Sequence, residues 1–228
     1  MTFSIAARCA RTGQFGVAVT SSSPAVAARC AYVRAGVGAV CSQNITDPRL
    51  GAHLLDLLAG GASAASAIRG TTHAEAHRPH IPYRQLTAVG ADGPGAAYSG
   101  AHTLGRHAEA VGPDAVAAGN LLADPGVPHA VLDAFTADPA APLARRLVDA
   151  LGAGAAAGGE QGPVRSAGLL VAGDVPWPVT DLRVDWTDGD PIAELAALWK
   201  IWEPQEQPYV QRALAPGEAP SFGVPGDA

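Results

Sequence analysis

Lysine is almost missing from this chain: 14 of its 15 basic residues are arginine, and Lys200 is the exception. Against 21 Asp plus Glu this leaves a formal charge of −6 over 228 residues. No basic run interrupts that balance, so the cationic footprint of a general nucleic-acid binder is absent. Aromatic residues make up only 5%. No stretch approaches ~18 consecutive apolar residues, which excludes a spanning helix. Cys9, Cys30 and Cys41 are odd in number and form no C-x-x-C pair. They read as reduced, buried thiols. The chain does not open on a basic segment followed by an apolar run, so no secretory signal is read there and a cytoplasmic protein is expected. A phosphate loop of the G-x-x-x-x-G-K type is also missing.

What the chain does have is small residues. It is 48% hydrophobic, with 49 alanines, 27 glycines and 19 prolines. That composition favours tightly packed layers over a core of bulky rings, and the length suits one large domain. Thr2–Arg8 alternates, with Phe3 and Ile5 on one face and Thr2, Ser4 and Arg8 on the other, as a strand requires. A turn at Thr12-Gly13-Gln14 leads to a second alternating run at Phe15, Val17 and Val19, and a third strand is expected over Val37–Ser42. The period then changes. Asp47-Pro48 predicts a helix start, with Leu50, Leu54, Leu57 and Leu58 at helical spacing. A shorter helix is expected over Ala62–Ile68. Strands are expected at Arg84–Val89, Ala96–Ser99 and Ala115–Ala118, helices opening near Asp124-Pro125 and Asp138-Pro139, strands at Val164–Val171 and Leu182–Asp185, and a last helix from Asp190-Pro191. Residues 1–202 read as one domain and 203–228 as an extended, proline-rich tail, ordered if Tyr209, Leu214 and Phe222 dock. Pairs of helices between sets of antiparallel strands predict two stacked sheets with helices outside.

The residue with the most chemical content is Thr2. Initiator methionine is commonly removed before a small residue, and the chain would then present a hydroxyl and an α-amine on one residue. A hydroxyl is a poor nucleophile until a base takes its proton. An amine with a pKa near 8 is a competent base about 3 Å away. The competing reading is an ordinary Met-Thr start on a core strand.

The chain resembles a widespread bacterial family of unknown function whose members adopt an N-terminal-nucleophile (Ntn) hydrolase-like fold. The resemblance rests on Thr2-Phe-Ser-Ile-Ala-Ala-Arg8, Gly16-Val-Ala-Val19, Arg34-Ala-Gly-Val-Gly-Ala-Val40, Gln43, Arg84-Gln85 and Gly119-Asn120-Leu-Leu122. It continues in Ala157-Gly-Gly159, Arg165-Ser166-Ala167, Asp181-Leu-Arg-Val-Asp185 and Gly223-Val-Pro-Gly-Asp227. Glu160 stands where the family often has Asp, and Trp186-Thr187 replaces a frequent acidic–His pair. The resemblance implies an α+β, four-layer αββα sandwich and an amidohydrolase acting on a small non-peptide amide, lactam or imide. The other function class considered is a non-catalytic small-molecule-binding or scaffold protein on the same fold.

Thr2, Arg34 and Asn120 are the catalytic candidates. Arg34 could keep the Thr2 amine neutral by its charge or hold a substrate carboxylate, and a loop-end surface arginine is its plain alternative. Asn120, after a strand and a glycine, could stabilise an oxyanion or close an Asx turn. Ser21, Ser22, Gln43, Asn44 and Glu160 are the substrate-binding candidates, with Ser23-Pro24 read as a turn. Arg183 and Asp185 read as a structural ion pair. His73, His77 and His80 have a spacing that could serve a metal, but Pro79 and Pro82 interrupt a helix there and a polar loop is the preferred reading. No metal or organic cofactor is expected. The expected partner is a small-molecule substrate, and the apolar tail could clasp a second subunit to make a homodimer.

Overall fold

The computed structural model describes residues 1–224. Its central strand, β1 (Thr2–Arg8), is the alternating segment at the start of the chain, and both of its faces are buried. It lies between β2 (Phe15–Ser21) and β8 (Ala115–Asn120), antiparallel to each. With β7 (Ala108–Val111), β9 (Ser166–Ala172) and β10 (Pro178–Val184) these form a six-stranded sheet in the order β10-β9-β2-β1-β8-β7. A four-stranded sheet, β3-β4-β5-β6, comprises Ala31–Arg34, Gly38–Asn44, Arg84–Gly90 and Ala96–Ser99.

Period-two alternation sorts the side chains between layers. Phe3 and Ile5 face outward from the large sheet and pack on α4 (Val127–Ala137), α5 (Leu143–Ala156) and α6 (Pro191–Trp202) through Val131, Leu147 and Leu195. Ala6, Val17 and Val19 face the small sheet and meet Ala39, Cys41 and Val89. On the far side of that sheet, Val40 and Leu86 pack on α2 (Arg49–Ala59) and α3 (Ala64–His73). The result is a four-layer αββα sandwich of the Ntn-hydrolase-like type. Short α1 (Ala27–Cys30) is wedged against β9, where a Cβ on Gly168 would overlap that of Ala27.

Asp190 caps α6 by accepting from Ile192 N and Ala193 N at 2.9 and 3.1 Å, so its Asp-Pro start works as expected. The Asp138-Pro139 pair heads a turn instead: Asp138 takes the Ala140 N–H at 3.1 Å and α5 begins only at Leu143. Residues 203–228 were expected to be extended, but α7 (Glu206–Leu214) is helical. Pro208 falls in its first turn, where a missing N–H breaks no helical bond. Tyr209 stacks on Trp202 at 5.1 Å and meets Phe222 at 6.0 Å, whereas Leu214 is exposed. The last three residues of the Gly223–Asp227 motif lie outside the described residues. Among the described residues no helix is long and apolar enough to cross a membrane.

Candidate functional site

Thr2 opens β1 directly opposite Ser21 on β2 and Asn120 on β8. Residues paired in register project to the same face, so three polar side chains meet at one end of the layer between the sheets. The Thr2 hydroxyl donates to the Met1 carbonyl at 2.5 Å and lies 3.3 Å from Ser21 Oγ. Ser21 Oγ donates to the same carbonyl. With Met1 in place, Thr2 is only 5% exposed.

A chain of hydroxyls leads away from this point to a cation. Ser21 Oγ lies 2.8 Å from Ser23 Oγ, which accepts from Arg29 Nη2 at 2.6 Å. Arg29 also donates to the Ala25 carbonyl at 3.0 Å and to that of Pro24. The cation expected near Thr2 is therefore Arg29, not Arg34. Sequence reasoning missed it because the return depends on Ala25, a non-glycine residue at φ 50° that turns the chain back on itself. The spacing from Ser23 to Arg29 was the available signal. Ser23 is part of this chain and not only a turn residue.

On the other side of Thr2 a buried amide network crosses between the sheets, and two backbone carbonyls orient it. Gln43 Nε2 donates to Ala118 O at 3.3 Å and to Gln85 Oε1 at 2.8 Å, leaving Gln43 Oε1 to accept from Ser4 Oγ at 2.7 Å. Gln85 Nε2 donates to Gly119 O at 3.0 Å and to Ser99 Oγ at 2.9 Å. Ser99 in turn donates to Glu109 Oε1 at 2.5 Å. Because Gln85 Oε1 is an acceptor, Asn120 must turn its Nδ2 toward it, at 3.1 Å. Asn120 Oδ1 is left with no donor although the residue is 1% exposed. The oxyanion role expected of Asn120 needs a free donor: one Nδ2 hydrogen goes to Gln85 and the second is left over, and the Oδ1 acceptor is free as well. Gln43 is locked into the network and holds the sheets together; Gln85, Ser4 and Ser99 were not anticipated.

Glu160 follows Gly158 and Gly159, both at positive φ (117° and 57°), and bridges to Leu122, two residues past the end of β8. It is 7% exposed, its Oε2 accepts from Ser22 N at 3.3 Å, and its Oε1 has no donor. Burial pushes its carboxyl from 4.5 up to about 7, against the downward pull of the chain's amino terminus and of Ser22. A carboxyl poised there can take and return a proton near neutral pH.

The remaining candidates lie elsewhere or act structurally. Arg34 pairs with Gly38, at the end of the small sheet opposite Gln43, and forms an exposed ion pair with Asp56 at 2.8 Å. Asn44, at φ 74°, spends its amide on Tyr83 O at 2.6 Å and Leu104 N at 3.2 Å, so it ties a strand end to two loops. Arg183 lies 3.5 Å from Asp181 instead of pairing with Asp185, whose carbonyl receives Ala25 N. His73 ends α3 with Nδ1 2.9 Å from Arg69 O, and His77 meets His53 edge-on at 5.2 Å. Among the described residues no group of three or more His, Cys, Asp or Glu side chains is placed to hold a metal. All three cysteines are free and buried. Burial pushes the Cys30 thiol up and that of Cys41 to about 12, which removes both as thiolate nucleophiles.

Comparison with known proteins agrees with this architecture. A family model described as a family of unknown function, DUF1028, matches residues 2–195, from Thr2 into α6. Among solved structures, the crystal structure of a DUF1028 protein from Silicibacter pomeroyi is similar with a TM-score of 0.79. The two chains are 28% identical, and the match covers 88% of each. No curated protein matches. With the family match spanning Thr2, Ser21, Asn120 and Glu160 alike, this chain belongs to DUF1028, a bacterial family of unknown function.

Proposed function

We propose that this protein hydrolyses the C–N bond of a small non-peptide amide, lactam or imide, with Thr2 as the nucleophile once Met1 has been removed. One observation carries the reading: a threonine one residue from the amino terminus pairs in register with Asn120, whose buried Oδ1 has no donor, and with Ser21, whose neighbour Ser22 donates to Glu160, a buried carboxyl that also has an oxygen lacking a donor. Buried acceptors left unpaired are costly. A freed α-amine, or the N–H of a bound amide, supplies the missing donors. Removal of Met1 also takes away the carbonyl to which Thr2 and Ser21 donate.

In this reaction Thr2 Oγ bonds to the substrate carbonyl carbon while its proton passes to the Thr2 amine. The tetrahedral intermediate collapses, the C–N bond breaks, and the amine returns the proton to the leaving nitrogen. Water then attacks the Thr2 ester, the amine again relaying a proton, and the carboxylic acid departs with the hydroxyl restored. Glu160 and Asn120 hold the amine as acceptors, and Glu160 exchanges a proton with it near neutral pH. The oxyanion is held by backbone N–H groups and by the second N–H of Asn120 Nδ2, whose first goes to Gln85. The Arg29–Ser23–Ser21 chain orients the Thr2 hydroxyl. No metal or organic cofactor enters the scheme.

A second reading, a small-molecule-binding protein on the same fold, is favoured by the burial of Thr2 when Met1 is present. One experiment separates them. Untagged protein is weighed intact to establish whether Met1 is lost, then treated with a β-lactone, whose carbonyl acylates an activated hydroxyl. Stoichiometric acylation mapped to Thr2, absent in Thr2→Ala and blocked by an uncleaved N-terminal extension, is the expected result. Retained Met1 with no acylation, or equal acylation of Thr2→Ala, refutes the nucleophile.

A further inference from the structure

Six residues along β1 from Thr2, roughly 20 Å at ~3.4 Å per residue, the opposite end of the sheet carries a different chemistry. Arg8 ends the strand with its Nε 2.9 Å from Asp114 Oδ1. Cavities of about 530, 370 and 340 Å³ all border its side chain. The 370 Å³ cavity is bounded by Arg8, Cys9, Arg11, Asp114, Pro139 and Arg146, among others.

Arg146 rises from the first turn of α5 and is 8% exposed. Its guanidinium carbon lies 3.9 Å from the Phe135 ring centroid, and its Nε donates to the Phe135 carbonyl at 3.0 Å. Among the described residues no carboxylate pairs with it. A buried cation without a counter-charge is costly. With Nε occupied, the edge left over is the Nη1–Nη2 fork, whose two parallel donors match a carboxylate. Arg11 borders the same cavity, its Nη2 on Ala140 O at 3.1 Å. Asp114 is neutralised by Arg8, so two guanidinium charges remain uncompensated. Burial pushes the Cys9 thiol up, while hydrogen bonds from Thr12 and the Arg11 backbone, with a smaller contribution from the charge of Arg146, bring it below its ordinary value. The remaining wall, Pro139 and Ala140, is apolar.

We infer that this cavity binds a small monocarboxylate with a short apolar tail, its carboxylate on the Nη1–Nη2 edge of Arg146 beside Arg11 and its tail against Pro139 and Ala140. The site is separate from Thr2 and does not depend on the hydrolytic reading. Calorimetric titration of the full chain with butyrate and with uncharged butyramide, alongside backbone amide NMR shifts, tests it. Butyrate is expected to saturate and to move the amides of residues 8–13 and 139–146, while butyramide does neither. Arg146→Gln is expected to weaken butyrate at least tenfold, and Thr2→Ala to leave it within twofold. Because Arg146 also anchors the Phe135 carbonyl, the exposed Arg11→Gln provides a variant free of that packing role, with an expected weakening of several-fold. Absence of saturable binding, equal binding of butyramide, unchanged affinity in Arg11→Gln, or shifts confined to Thr2 and Asn120 would overturn the inference.

Discussion

Glu160→Gln gives the most direct access to the polar cluster around Thr2. The wild-type carboxyl is 7% exposed, has one oxygen without a donor, and holds its proton up to about pH 7 instead of 4.5. The folded state therefore binds this proton more tightly than the unfolded chain does. The resulting stabilisation is complete below about pH 4.5 and is lost as pH rises through about 7, where an ionised carboxylate must stay buried. At ~1.4 kcal/mol per pH unit the rise corresponds to about 3 kcal/mol, and local relaxation and water entry reduce this to about 1–3 kcal/mol. Glutamine keeps the shape and cannot ionise. Urea unfolding between pH 4 and pH 9 should give the wild type a decline in stability that the variant lacks. The two should agree within ~0.5 kcal/mol at pH 4, and the variant should be more stable by about 2 kcal/mol at pH 8, or roughly 4–8 °C in Tm. Parallel curves for the two proteins would mean that Glu160 ionises normally, and the proton-exchanging role assigned to it would fall.

Two further substitutions examine the packing that supports the site. Gln85→Leu leaves the Asn120 and Gln43 donors and the Gly119 carbonyl short of a partner in a buried layer, and thermal unfolding should show a loss of about 2–4 kcal/mol; a loss below ~1 kcal/mol would show that the amide network contributes little. Gly51→Ala in α2 favours the helix by about 1 kcal/mol, but its Cβ would overlap the Tyr32 ring, so overpacking of ~1–3 kcal/mol should prevail. Equilibrium denaturation should find this variant destabilised, and should find the same change stabilising when Tyr32 is replaced by leucine; stabilisation in the parent protein would contradict the tight contact.

Local pattern alone determined much of this protein. Alternation in Thr2–Arg8 and Phe15–Val19, leucine spacing after Asp47-Pro48, and the Asp190 cap are properties of neighbouring residues, and short-range geometry acts on them wherever the chain goes. Four-residue β3 and β7 were not anticipated, although the equally short β6 was, at Ala96–Ser99. Helical α7 was hidden by prolines that are harmless at a first turn. The site was half legible. Thr2, Ser21, Asn120 and Glu160 stood out by residue type and by position near strand ends; strand register brings the first three together, and Glu160 joins through the Ser22 N–H. Which cation serves them was not legible, because Arg29 returns only through the turn at Ala25 and Arg34 is carried to the opposite sheet end. Nor could the sequence say that Asn120 leaves an acceptor free. That polarity comes from the Ala118 and Gly119 carbonyls of Asn120's own strand orienting two glutamines on the facing sheet, and a residue's free hydrogen-bonding group is decided only when its neighbours in space have taken the others.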